Sequence, residues 1–516
     1  MKSASRLLKN TLMLAASTIL LRLCALCFQA YLAGKVGAEQ LGVFGIVSSV
    51  GVVFATIAIS GVRFSVTRLV SEEESLGNEN PHSLMRSAYI YALFFGGISA
   101  VAMYYGSKAL SSYWVMNETA KIPLRIMAVS MPLISIGAVA QGYFTAKQKI
   151  FRLVFTEVLA QLLRIFYVVL SFYLKRTDVI TVLASGMLVS EAVLSVGMIS
   201  LYLLDTVGKK ESSPKKNCFP VLIKTALPLA VSAYMRTGLS SLGQVIIPRG
   251  LRKSGMGSSS AFSMYGVITQ MSFPVIMFPA ALLNALGEIL VPRLTAAQVS
   301  GQKNGISYIT NRALRLGVIF SFGVAGAMLA FSKMLGYGIY DSKDAGMYIA
   351  VFAPIIPIIY VDCVTDGCLK GLNQQVHSMV YNIWEGIINV VMLYILLPRT
   401  AIFGYIIVMY IKEVFNAILS LRRLSKVTRV NFSGFGVFAA VISAWGAQAV
   451  CKISFPGLTL WKMLTVYGMF YTAFLYVISA ISRDDIKWLM SLICEKNISK
   501  KPPSVLTKPL SRDKII

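Results

Sequence analysis

Apolar residues run through this chain in blocks of about 20, and the charged residues collect in short punctuation between the blocks. The stretch 18–31, TILLRLCALCFQAY, shows the pattern: a single charge, Arg22, interrupts an apolar run that ends only at Gly34 and Lys35. An α-helix rises about 1.5 Å per residue, so a block of this length crosses about 30 Å of hydrocarbon. Strict alternation and the 3.6-residue amphipathic period are both missing from these runs, which excludes half-buried strands and surface helices as their dominant reading. The pattern predicts an all-α polytopic membrane protein with fourteen spans, at 10–33, 42–70, 86–107, 122–146, 152–174, 178–204, 220–247, 260–292, 306–331, 346–370, 376–398, 401–421, 433–452 and 461–482. The first block is followed by many of its kind, so it reads as a retained helix and not as a cleaved signal.

Composition agrees: 56% of the 516 residues are hydrophobic and 14% charged. The net charge of +27 would raise the question of nucleic acid in a soluble chain. Its placement answers that question. On the side of both termini the connections and flanking span ends carry thirty Lys and Arg, against fourteen on the other side. The positive-inside rule then puts both termini in the cytoplasm and makes membrane lipids, not nucleic acid, the contact of the basic tail. The seven Cys are scattered, and Cys24-x-x-Cys27 inside a span reads as two small apolar side chains, so neither a disulfide framework nor a metal centre is implied.

The polar, Pro-containing stretch DTVGKKESSPKK divides the chain into similar halves. The expected organisation is a lobe of six spans over 1–204, a linker over 205–219, a second six-span lobe over 220–421, two further spans over 433–482 and a basic tail over 483–516. The halves repeat sparsely. At an offset of 214, Thr11 falls on Thr225, Ala16 on Ala230 and Arg22 on Arg236; at 225, Pro132 falls on Pro357 and Gly142 on Gly367. Both copies have the same parity, so the repeat is parallel, with its pseudo-two-fold axis along the membrane normal and a cavity between the halves.

SGVRFSVTRLVSE at 60–72 and GYFTAKQKIFRLVFTEVLAQLLRI at 142–165, with VPRLTAA at 291–297 and CLKGLNQQ at 368–375, carry a family likeness. The chain resembles the stage V sporulation protein B family of the multidrug/oligosaccharidyl-lipid/polysaccharide exporter superfamily, alongside MurJ-type lipid II flippases and Wzx-type flippases. The resemblance implies alternating access by two lobes. It also implies carriage of a polyprenyl-diphosphate-linked glycan, lipid II or a related spore-cortex precursor, from inner to outer leaflet of a bacterial plasma membrane, near cell-wall synthesis proteins. In the flippase relatives a cavity arginine falls where this chain has Arg22. A second Arg about two turns later in their first helix is replaced here by Phe28 and Gln29.

Buried polar residues supply the candidate chemistry. Arg22 lies about 16 Å into its helix, too deep to reach water by snorkelling, and an unpaired charge there costs at least about 2.5 kcal/mol. A diphosphate suits it, because guanidinium forms bidentate bonds to phosphate oxygens; a helix-to-helix ion pair is the structural alternative. Arg236 occupies the matching place in the second half. Arg63 is a candidate cytoplasmic gate, Glu157, Gln161 and Arg164 share one face of the fifth span, and Gln29 could hydrogen-bond sugar or peptide. Asp362 and Asp366 on the tenth span, with Asn382 and Glu385 on the eleventh, form a candidate site for a coupling cation, sodium or proton. Lys370 continues the Asp366 face and could neutralise it instead.

No G-x-x-x-x-G-K-[ST] motif occurs, and nothing pairs a nucleophile with a base, so the chain reads as a transporter and not an enzyme, with no resident cofactor. Energy would come from a cation gradient, the membrane potential or consumption of cargo. The other readings are a cation-coupled multidrug antiporter of the same superfamily and a non-transporting membrane scaffold.

Overall fold

The computed structural model describes residues 2–75, 82–175, 178–207, 218–431, 434–455 and 457–493. Most of the 205–219 linker and the tail beyond 493 lie outside the described residues. Helix follows helix throughout: α1 (Lys2–Val36), α2 (Ala38–Ile59), α3 (Val62–Ser75), α4 (His82–Ala109), α5 (Lys121–Ala146), α6 (Ile150–Tyr173) and α7 (Val179–Thr206). Then come α8 (Phe219–Lys253), α9 (Ser258–Gly266), α10 (Phe273–Met277), α11 (Ala280–Val299), α12 (Lys303–Tyr340), α13 (Lys343–Phe352) and α14 (Ile356–Gly371). The chain closes with α15 (Gln375–Val427), α16 (Gly434–Ser454), α17 (Leu460–Val477) and α18 (Arg483–Ile493). No strand occurs among the described residues.

Helices are what a chain in hydrocarbon must form, because each satisfies its backbone polar groups internally. Among the described residues eleven are long and apolar enough to cross a membrane, and α15 carries two of the expected spans, bent at Ala401 where φ is 49°. The expected fourteen are not reproduced as fourteen separate long apolar helices. Phe94, Phe166, Phe438 and Trp445 stand 61%, 63%, 64% and 74% exposed, which fits side chains that meet lipid instead of water.

The expected continuous span at 42–70 is broken. Ser60 and Gly61 both take positive φ, 42° and 72°, and separate α2 from α3. Glycine is required at 61 twice over, since a Cβ there would also lie 2.5 Å from the Ala226 carbonyl oxygen. The expected span at 260–292 is likewise divided, into α9, a π-helical stretch at 267–272, α10 and α11.

Packing sorts the helices into two groups. In the first, α2 to α7 pack on one another around α5; in the second, α8 and α11 to α15 pack around α14 and α15, with α16 and α17 added against α12. The groups meet where α1 packs on α11 and where α2 packs on α8 and α9. The internal repeat is visible in side-chain detail. Gly142 on α5 approaches Arg63 and Val66 of α3 while its carbonyl accepts from Thr67 Oγ1 at 3.1 Å. Gly371 on α14 approaches Val291 and Leu294 of α11 while its carbonyl accepts from Thr295 Oγ1 at 2.9 Å. Gly142 therefore corresponds to Gly371, not to Gly367. A glycine that admits a neighbouring backbone is identified by what it touches, and spacing alone misses by one turn.

Candidate functional site

The seam between the two groups holds the first cluster. Arg22 lies on the exposed side of α1, and its one hydrogen bond among the described residues is long, from Nη1 to the Met277 carbonyl at 3.4 Å. Glu288 on α11 is its electrostatic partner, and Lys370 acts on the same carboxylate more strongly. Lys370 thus serves Glu288, and no ion pair joins it to Asp366 among the described residues. Two turns beyond Arg22, Gln29 Nε2 donates to Gln270 Oε1 at 2.8 Å, an amide pair that spans the seam. Gln270 reaches across from the π-helical stretch at 267–272; the wider turn is a frequent device at functional sites.

The second cluster lies inside the first group. Arg63 and Glu157 are electrostatic partners across α3 and α6. Arg164, two turns from Glu157, pairs electrostatically with Glu191 on α7, and its guanidinium carbon sits 5.8 Å from the centre of the Phe28 ring. Its Nε is buried without an acceptor among the described residues. Gln161 lies between Glu157 and Arg164 on the same half-buried face of α6. A guanidinium on α6 therefore covers Phe28 of α1.

The third cluster lies inside the second group, and the structure divides the four expected cation ligands. Asp362 Oδ2 accepts from Asn416 Nδ2 at 2.9 Å, and the same amide reaches Asn382 Oδ1 at 3.4 Å. Asp366 instead accepts from Ser378. Glu385 accepts from Lys412 Nζ at 3.1 Å, while Lys412 also contacts Glu413 at 2.8 Å, so Glu385 belongs to an ion-pair triad and not to an open oxygen cage. Asp362 Oδ1 and Asn416 Oδ1 are buried with no hydrogen-bond partner among the described residues. Unsatisfied buried oxygens are costly, and two beside the Ser420 hydroxyl form a donor set suited to a small cation.

Arg236 lies exposed on α8, with no partner found among the described residues. It shares a face with Ser240, Gly243 and Ile247, which line a cavity of about 230 Å³ closed by Asn389, Tyr405 and Lys412. No bond joins Arg236 to Arg22 among the described residues. Sequence reasoning missed Glu191, Glu288, Lys412, Glu413 and Asn416. Each is polar within an apolar run, the same signal that singled out Arg22.

A two-group helical membrane protein with charged clusters on and beside its seam has a fold shared with solved transporters of the multidrug/oligosaccharidyl-lipid/polysaccharide exporter superfamily. Lipid II flippase MurJ in its inward closed conformation matches with a TM-score of 0.72 at 12% identity, covering 92% of this chain and 100% of that one. An inward-facing multidrug resistance transporter of the MATE family matches at 0.62 with 14% identity, covering 80% and 98%. The chain belongs to the polysaccharide biosynthesis protein family, whose pattern matches residues 7–282. Stage V sporulation protein B of Bacillus subtilis (strain 168) is 21% identical over 507 residues, 93% of this chain and 97% of the relative. Lipid II flippase MurJ of the same organism is 20% identical over 415 residues, 73% and 75% of the two chains.

Proposed function

We propose that this protein is a flippase that carries a polyprenyl-diphosphate-linked glycan, lipid II or a related cortex precursor, from the inner to the outer leaflet of a bacterial plasma membrane by alternating access. The observation that carries this reading is Arg22. It is a guanidinium on the seam between two helix groups, with one long carbonyl contact and most of its five donors free for a diphosphate. Arg164 and Arg236 supply further positive charge beside the seam and on α8, and the amide pair Gln29 and Gln270 offers hydrogen bonds to sugar or peptide. The names of the relatives, a sporulation protein and a lipid II flippase, favour this cargo class over a cationic drug.

Coupling belongs to Asp362 and Asn416, whose free oxygens suit sodium or, at Asp362, a proton, with Asn382 held beside them by the Asn416 amide. Both termini lie in the cytoplasm, a reading supported by the thirty-to-fourteen asymmetry of Lys and Arg, and cell-wall synthesis proteins are the partners that would consume the cargo. Native mass spectrometry of the purified chain with lipid II, undecaprenyl diphosphate and a cationic dye tests the reading. Retention of both diphosphates by the parent and loss in Arg22→Ala is the expected result. Dye binding with no diphosphate retention would replace it with the antiporter.

A further inference from the structure

A large cavity lies away from the seam. It measures about 1580 Å³ and is walled by the start of α12, the 425–431 stretch that ends α15, the start of α16, and α18. It shares no lining residue with the three clusters above. All of its walls belong to the end of the bundle assigned here to the cytoplasm, at the level where helices leave the membrane.

Its charge is lopsided. Two acids line it, and both are engaged: Asp485 accepts from Arg312 Nε at 2.9 Å and lies 3.7 Å from Arg315, while Asp484 faces Lys487 at 3.8 Å. Lys303, Lys426 and Arg429 also line it, exposed, and no ion pair or side-chain hydrogen bond of theirs is found among the described residues. Arg429 is nonetheless held firmly by its backbone. Its carbonyl accepts from Ser307 Oγ and Asn311 Nδ2, each at 2.8 Å, and Asn311 Oδ1 accepts the N–H of Asn431 at 2.7 Å. The frame is fixed and the cationic side chains are free.

The floor is apolar, formed by Leu314, Val318 and Val437. At the rim the Arg312 guanidinium lies 5.3 Å from the Tyr308 ring and 5.5 Å from the Trp488 ring. Trp488 and Leu489 turn inward against the apolar core, whereas Asp484 and Lys487 face out, so α18 is the amphipathic wall of a pocket at a membrane surface. Free cations above an apolar floor, with aromatic side chains at the boundary, match an ionic head on an acyl chain better than a small soluble anion. The chain's own tail is excluded by charge, since Lys496, Lys500 and Lys501 outnumber Glu495 at its start.

We propose that this pocket binds an anionic phospholipid, its headgroup phosphate against Lys303, Lys426 and Arg429 and its first acyl segments over Leu314, Val318 and Val437. The site is separate from the transport path and does not depend on which cargo is carried. The test uses the full chain in native mass spectrometry, titrated with phosphatidylglycerol, phosphatidylcholine and inorganic pyrophosphate. The parent is expected to retain phosphatidylglycerol about tenfold or more tightly than phosphatidylcholine, from about a kcal/mol for each basic residue at an anionic surface. The double variant Lys426→Gln with Arg429→Gln should lose most of that preference, and Arg22→Ala should keep it. Lys303→Gln, on a separate connection, carries the same expectation if the double variant unfolds. Undiminished discrimination in both basic-site variants would overturn the proposal. So would pyrophosphate that displaces phosphatidylglycerol at comparable concentration in the parent and not in the variants, which would make the ligand a soluble phosphate.

Discussion

The crossing of α2 and α9 sets the spacing between the two groups at the end remote from the termini, and it rests on reciprocal glycines. A Cβ added to Gly42 would lie 2.1 Å from the Phe262 carbonyl oxygen, and one added to Gly266 would lie 2.0 Å from the Ala38 carbonyl oxygen. Both obstacles are backbone, so no side-chain rotation relieves them; the helices must separate. Gly42→Ala should therefore penalise the closed seam by about 1–3 kcal/mol, the range for an overpacked contact. Alanine also gains about 1 kcal/mol of helix propensity, but α2 is helical whether the seam is open or closed, and that gain cancels between the two states. A shift of about 2 kcal/mol changes the ratio of states about thirtyfold, so a protein about 97% closed would fall to about half closed. The assay is cross-linking of cysteines placed at 39 and 259 by a short bifunctional thiol reagent in an otherwise Cys-free background. Glu39 and Ser259 face each other across this crossing, with Ser259 Oγ donating to Glu39 at 2.6 Å. Slower cross-linking is expected in Gly42→Ala. An unchanged rate would refute the reasoning, because it would mean that the methyl is accommodated without separating α2 from α9.

Arg22→Ala and Arg236→Ala should each abolish flipping in proteoliposomes while inserting normally, and Lys at position 22 should rescue poorly because it lacks the planar fork; full transport by the double Ala variant would remove the diphosphate reading. Asp362→Asn should bind cargo and melt near the parental temperature but lose its response to an imposed sodium or proton gradient, as a paired scan of thermal stability and gradient-driven flipping would show. Lys412→Met leaves Glu385 and Glu413 half-buried and without that cation and should cost about 2–3 kcal/mol, below the full buried-pair penalty; adding Glu385→Gln and Glu413→Gln should recover most of the lost melting temperature. At α18, burial pushes the Asp485 carboxyl up, but the Ser482 N–H and hydroxyl and Arg312 and Arg315 outweigh it and hold the group below the usual carboxylate range. Its contribution to docking α18 is therefore complete above about pH 3.8 and fades as pH falls through the lower folded value, so hydrogen exchange in α18 should stay flat from neutral pH to about 5 and rise only in stronger acid.

Much of the architecture was legible from apolar block length, because hydrocarbon leaves helices as the only open-ended solution for a single chain and each must be long enough to cross. Arg22 was legible for a related reason: a charge in an apolar run is expensive and needs a use. The same rule holds for Glu191, Glu288 and the Lys412–Glu413 pair, each a charge inside an apolar run. The division of the expected cation ligands was not legible. Asp362, Asp366, Asn382 and Glu385 have the right spacings along two helices, but spacing fixes only which face of a helix a residue occupies. Whether Glu385 meets an open cavity or the ammonium of Lys412 depends on how α15 bends at Ala401 and brings its second half back beside its first.

By itself, then, the sequence determined that this chain is a bundle of membrane helices, which end of it carries the positive charge, and which buried ionisable groups need partners. Those properties follow from the local cost of putting peptide groups and charges in hydrocarbon, a cost that each segment carries alone. Only the tertiary structure decided that Arg22 answers to Glu288 across a seam, that Arg164 covers Phe28, that Gly142 repeats in Gly371, and that three free cations gather above an apolar floor beside α18. Each of these depends on the packing of helices far apart in the chain, where small residues allow close approach and the contacts that result have no signature in the spacing of residues along one helix.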